Sequence, residues 1–159
     1  MKIYIGIDPG KSGGVCFLNG DDIRVCKCPA TIHDMVNEIE IANDIGVCSA
    51  VVEKVHSMPG QGVRSVWTFA ENYAHWCAIL ATLKVRYVLV PPYTWMKFYG
   101  SMPKDKRKRK NYLKQLAQQL YPNIKVTLAT ADAILLAHYL QQTDAVEAVI
   151  NGNSSHTTS

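Results

Sequence analysis

The run Cys48-Ser-Ala-Val-Val-Glu53 constrains the fold more than any other segment of this chain. It shows no apolar and polar alternation, so a strand built from it carries water-avoiding side chains on both faces. Such strands belong to parallel sheets covered by helices on both sides. Residues 2–8, 14–19 and 22–28 read as three further strands. They are joined by Pro9-Gly-Lys-Ser-Gly-Gly14 and Asn19-Gly-Asp-Asp22, of which Asn19-Gly20 is a strong hairpin signal.

Helices account for most of the rest. From Thr31 to Asp44, Ile32, Met35, Val36, Ile39 and Ala42 recur at spacings of three and four behind a Thr31 cap, and the helix ends near Gly46. A Gly/Pro loop over residues 57–62 precedes a long helix over 63–83. There Trp67 and Tyr73 lie at helical spacing and are expected in the core. Tyr87 to Val90 is a fifth strand, stopped by Pro91-Pro92. A short helix or turn over 93–99, a helix over 107–121 and a last helix from Asp132 to Gln141 follow, with His138 a hydrogen-bonded core or interface residue. The expected fold is α/β, a mixed five-stranded sheet with helices on both faces. Residues 1–150 form one domain, and the polar stretch 151–159 has nothing to bury and is expected to be disordered.

With 159 residues and 48% apolar content, the chain supports one core and not two. It contains no 18-residue apolar run and no charged leader with an apolar core, so neither a membrane span nor a secretory signal is expected. A cytoplasmic protein is the expectation. Five cysteines, an odd number mostly inside apolar segments, argue for reduced thiols rather than a disulfide framework. Cys26-Lys-Cys28 has no second Cys or His pair at zinc-ligand spacing.

The net charge is only +4, but Lys104 to Lys110 packs six bases and one acid into seven positions, with Lys97 before it and Lys114 after. Such a run is either a solvated face or a surface for a phosphate backbone. The acids favour the second reading. Asp8 and Glu53 each end a strand, at the carboxyl edge where open α/β sheets place their sites, and Asp132 opens an apolar helix. Three carboxylates meeting there would need a counter-charge, most simply hard, oxygen-seeking Mg²⁺. That points to metal-assisted phosphodiester chemistry. Taken singly, each acid has a plainer role: Asp8 a turn opener, Glu53 a surface partner of Lys54 or Arg64, Asp132 a charge on a helix dipole.

Gly6-Ile-Asp-Pro-Gly10 with Gly13-Gly14, then Val52-Glu-Lys-Val55, then Ala131-Asp-Ala133 before an aliphatic helix together resemble a RuvC-type Holliday junction resolvase of the RNase H-like fold. The resemblance runs from residue 2 to about 141. The segments Val55 to Gly62, Pro92 to Trp95 and Gly100 to Lys106 look closest to the compact phage-encoded branch. It implies a homodimer that binds four-way and related branched DNA and nicks opposed strands with two Mg²⁺ ions per site, Mn²⁺ substituting. By that resemblance Asp8, Glu53 and Asp132 are the metal ligands, and Lys106 is a catalytic lysine near the scissile phosphate. His56, Gln61, Arg64, Lys97, Lys104, Lys106, Arg107, Lys108, Arg109 and Lys110 then form the expected DNA surface. In the bacterial members an acid or a His stands three residues before the last Asp, whereas this chain has Ala129. A three-carboxylate nuclease and a catalytically silent branched-DNA-binding module therefore both stay open. The Gly6 to Gly10 loop is also similar to the first phosphate loop of actin-like and sugar-kinase-like ATPases. Those need two such domains, more than 159 residues supply.

Overall fold

A computed structural model describes residues 1–54 and 59–154, and side chains as far as residue 144 together with residue 147. Strands β1 (Lys2–Asp8), β2 (Gly14–Asn19) and β3 (Asp22–Lys27) form an antiparallel meander. Helix α1 (Ile32–Ile45) then returns the chain to β4 (Val47–Glu53), which pairs parallel to β1. Helix α2 (Val63–Thr82) leads to β5 (Arg86–Val90), parallel to β4. Helices α3 (Pro92–Phe98), α4 (Lys106–Leu120) and α5 (Ala131–Ser154) complete the chain. The sheet order is β3-β2-β1-β4-β5, the mixed five-stranded sheet that the apolar runs predict.

Local chemistry starts the helices where expected. Thr31 Oγ1 accepts the Asp34 N–H at 3.1 Å and Asp105 Oδ1 accepts the Lys108 N–H at 2.8 Å, each satisfying an amide that the first turn leaves free. The period of two then sorts the strands into two cores. Ile3, Ile5, Ile7, Ala50 and Val52 pack with Met35, Ile39, Trp76 and Leu80 from α1 and α2. On the other face Cys16, Leu18 and Val51 pack with Trp95, Leu113, Ala117, Ile134 and Leu135 from α3, α4 and α5. Helices thus cover both faces.

Two expectations fail. Trp67, assigned to the core, is 72% exposed, because the core stripe of α2 is carried by Trp76, Ile79 and Leu80 and turns Trp67 outward. The last helix does not end near Gln141 but runs to Ser154. Lys2 pairs with Asp144 and Tyr4 Oη donates to the same carboxylate at 3.0 Å, docking this extension on β1 across more than a hundred residues of sequence. Of the expected disordered tail, 151–154 continue this helix and 155–159 lie outside the described residues. Tyr73 packs against the first core, and His138 Nδ1 shares a 2.8 Å hydrogen bond with Tyr121 Oη. No described helix is long and apolar enough to cross a membrane, and all five cysteines are free thiols.

Candidate active site

Strand register places the first two acids. Ile7 pairs with Val52 across β1 and β4, so Asp8 and Glu53 end adjacent strands, which run about 5 Å apart. Alternation puts both on the face of Tyr4 and Val51, the one that α5 covers. Helix α5 lies directly on β1 at Gly6, where a Cβ would stand 2.1 Å from the Ala133 carbonyl oxygen and 2.5 Å from the Ala137 nitrogen. Only glycine permits that approach, which brings Asp132 over the strand ends. Gly14, the cross-strand partner of Asp8, does the same for the preceding turn: a Cβ there would lie 2.6 Å from the Ala129 carbonyl oxygen. The loop after Asp8 is tied on two sides. The Gly10 N–H donates to Asn72 Oδ1 of α2 at 2.8 Å, and the Cys28 thiol donates to the Asp8 carbonyl at 3.2 Å.

Burial raises all three acids, and repulsion adds to it at Asp8 and Glu53. Burial pushes the Asp8 carboxyl well above the usual carboxylate range, and Glu53 and Asp132 push it further, against the Lys110 ammonium. Glu53 is 7% exposed. Its pKa is pushed up to about 7 by burial and by Asp132, partly offset by the Trp95 hydrogen bond. Burial raises Asp132 to about 6, with Lys110 and Arg109 opposing. Trp95 Nε1–H donates to Glu53 Oε2 at 2.6 Å. This bond replaces the surface pairing of Glu53 with Lys54 or Arg64. Among the described residues nothing donates to the Asp8 or Asp132 carboxylates, and no three His, Cys, Asp or Glu side chains stand ready-gathered as a metal cage. The donor set nonetheless suits a hard divalent cation, which would offset the cost of burying these charges and the repulsion felt by Asp8 and Glu53.

Burying these charges has a measurable cost without metal. A carboxyl whose folded pKa lies above its unfolded value destabilises the fold once it ionises, so stability is retained below the usual 4.5 and lost as pH rises toward about 7. For Glu53 the loss is on the order of 2 kcal/mol. Melting in EDTA is therefore expected to fall between pH 5 and 8 by roughly 5 °C, and added Mg²⁺ to restore it at pH 8. A flat profile would mean the acids are not crowded.

Beside the acids stands a cationic face. Lys106, Arg107 and Lys110 with Asp105, Asn111 and Leu128 line a cleft of about 490 Å³. Lys104, Lys106, Arg107, Lys108 and Lys110 are exposed, as is Lys97 on α3. Arg109 differs. It is half-buried, and its guanidinium donates to the Pro103 and Lys104 carbonyls at 3.2 and 3.1 Å, clasping the turn before its own helix. Five consecutive cations opening α4 oppose the helix dipole. Stability does not favour that arrangement, whereas an anion docked there does. Lys106 is the cation that resemblance singles out, yet the ammonium whose field reaches both Asp8 and Asp132 is Lys110, one turn later. Gln61 and Arg64 are exposed at the start of α2, and His56 lies outside the described residues. The sequence marks Trp95 only as the end of the Pro92 to Trp95 segment and assigns it no role at the site. A tryptophan just after a strand and Pro91-Pro92 was the available signal, since a buried indole N–H needs an acceptor.

The sheet order, the acids at the ends of β1 and β4 and the acid-bearing helix across them define an RNase H-like fold of the RuvC type. No protein-family model and no curated protein matches the sequence. Among solved structures, Thermus thermophilus RuvC in complex with a Holliday junction substrate superposes with a TM-score of 0.61 at 10% identity, over 91% of this chain and 97% of that one. Thermus thermophilus RuvC by itself gives 0.54 at 13% identity, over 89% and 96%. At such identities the likeness is one of fold, and it spans nearly the whole of both chains.

Proposed function

We propose that this chain is a structure-selective DNA endonuclease that, as a homodimer, resolves four-way and related branched DNA by metal-dependent phosphodiester hydrolysis. The carrying observation is the burial of Asp8 and Glu53 at adjacent strand ends, with Asp132 of α5 near enough to push both carboxyls up, beside a cationic helix start that the fold does not need. The whole-chain likeness to a RuvC bound to a Holliday junction substrate supports the choice of DNA. Asp8, Glu53 and Asp132 would hold a pair of Mg²⁺ ions, or Mn²⁺, which would supply an activated water and charge neutralisation for the leaving 3′ oxygen. The protein's own share is positional. Exposed lysines and arginines of α4 bind the backbone, with Gln61, Arg64 and Lys97 at the margins. Lys110 places positive charge next to the acids.

Pairing of two copies through α2 fits its surface. Val63, Trp67, Ala70, Ala74 and Ala78 are all exposed at spacings of four, three, four and four, an apolar stripe away from the core. Ala74→Glu is expected to convert the protein to a monomer by sedimentation velocity and to turn paired nicks into single ones. An unchanged dimer would place the contact elsewhere.

A second reading has its own observation. The Ala129 side chain offers no ligand oxygen, so a silent branched-DNA-binding module keeps the same fold and surface. End-labelled four-way, three-way and linear DNA incubated with Mg²⁺, Mn²⁺ or EDTA separates the two. Metal-dependent paired nicks near the branch point support the nuclease. Tight branch binding without cutting supports the silent module.

A further inference from the structure

We infer that α3 acts as a bracket between Glu53 and Asp132, with Trp95 and Tyr99 as positioning residues for the metal ligands; this rests on reading those acids as ligands. Helix α3 follows β5 directly, next to the end of β4, and reaches both acid-bearing elements. Trp95 is fully buried, and its indole N–H bonds Glu53 Oε2 at 2.6 Å. A bond from a neutral donor to a buried carboxylate is strong and directional. It engages Oε2 and restricts rotation of the carboxylate, while the remaining lone pairs stay available to a cation. The Tyr99 ring stands edge-on to Trp95, with centroids 6.3 Å apart, and its hydroxyl donates to the Leu135 carbonyl at 2.6 Å. Leu135 lies one turn after Asp132 on α5. Its carbonyl sits within the helix, so this bond uses a second lone pair that helix formation does not require. Phe98, edge-on to both Tyr99 and Tyr139 at 5.0 and 5.5 Å, carries the packing further along α5.

Two polar hydrogens from one short helix and its cap thus tie the element bearing Glu53 to the element bearing Asp132. Groups that orient metal ligands in this way are worth about 10- to 100-fold in metal affinity. Packing alone would need the rings but neither the N–H nor the hydroxyl.

The test is Mn²⁺ titration calorimetry on the full chain without DNA, comparing wild type, Trp95→Phe and Tyr99→Phe, with melting in EDTA and metal-dependent nicking alongside. Trp95→Phe is expected to bind Mn²⁺ about 10-fold more weakly and to lower kcat, with KM for the junction unchanged. Affinity within twofold of wild type, whatever the melting shift, overturns the inference, because a packing role moves melting and not the affinity of the folded protein. If Trp95→Phe fails to fold, Tyr99→Phe reads the same quantity: weaker Mn²⁺ binding supports the bracket and unchanged binding overturns it. Folded wild type that neither binds Mn²⁺ nor nicks a junction overturns the nuclease reading itself. Wild type that does both, beside variants that match it, overturns only the bracket.

Discussion

Glu53→Gln is expected to lower metal-dependent junction cleavage by at least about 100-fold while leaving junction binding within about twofold. The substitution keeps the shape of the side chain and an oxygen to accept the 2.6 Å bond from Trp95, so the local packing survives. What disappears is the negative charge among Asp8, Glu53 and Asp132. Loss of groups that merely orient a metal ligand costs about 10- to 100-fold, and loss of the ligand's charge should cost no less. The cationic face of α4 does not involve Glu53, so affinity for branched DNA should persist. Single-turnover nicking in Mg²⁺ and gel-shift titration in EDTA measure the two separately. A variant that cuts at the wild-type rate would remove Glu53 from the machinery. The same variant should melt above wild type in EDTA at pH 8, since it no longer ionises with a pKa of about 7 in a buried site. A site held at a cost to the fold is what functional residues show, and ornamental acids do not.

The second large effect concerns the cleft beside the acids. Replacing Lys106, Arg107 and Lys110 together by Ala is expected to reduce the slope of log affinity against log salt by close to three, about 0.9 for each phosphate that is no longer neutralised. At 0.1 M salt that corresponds to roughly 100- to 500-fold weaker binding, on linear and branched DNA alike. Stability should hold or rise, because these cations oppose the dipole at the start of α4. Filter binding over a salt series is the direct measurement. An unchanged slope would return the run to a solvated face. Arg109→Ala should behave otherwise, costing stability first, because its guanidinium clasps the Pro103 and Lys104 carbonyls.

The reach of the sequence can be judged from particular residues. Asp8 and Glu53 were legible because each ends an apolar run, whereas the face they share follows only from the β1–β4 register. Asp132 was legible as the polar residue opening an aliphatic helix. Trp67 was misread because the helical period of α2 supports two apolar stripes, and only packing against α1 and the sheet selects the one carrying Trp76 and Leu80. The extension of α5 past Gln141 was missed for a related reason. Its docking depends on Lys2 and Tyr4, which no local pattern connects to Asp144.

The same division holds at the site. By itself the sequence determined the sheet, the two strand-end acids, the helix that brings the third and the cationic run, since each follows from short-range periodicity and charge. Tertiary structure alone decided that Glu53 answers to Trp95 rather than to Lys54 or Arg64, that Arg109 turns back to its own loop, and that Lys110 faces the acids. Those choices depend on which segments, distant in the chain, share one buried volume. In a low dielectric a buried carboxylate or indole must take the partner that packing places within reach.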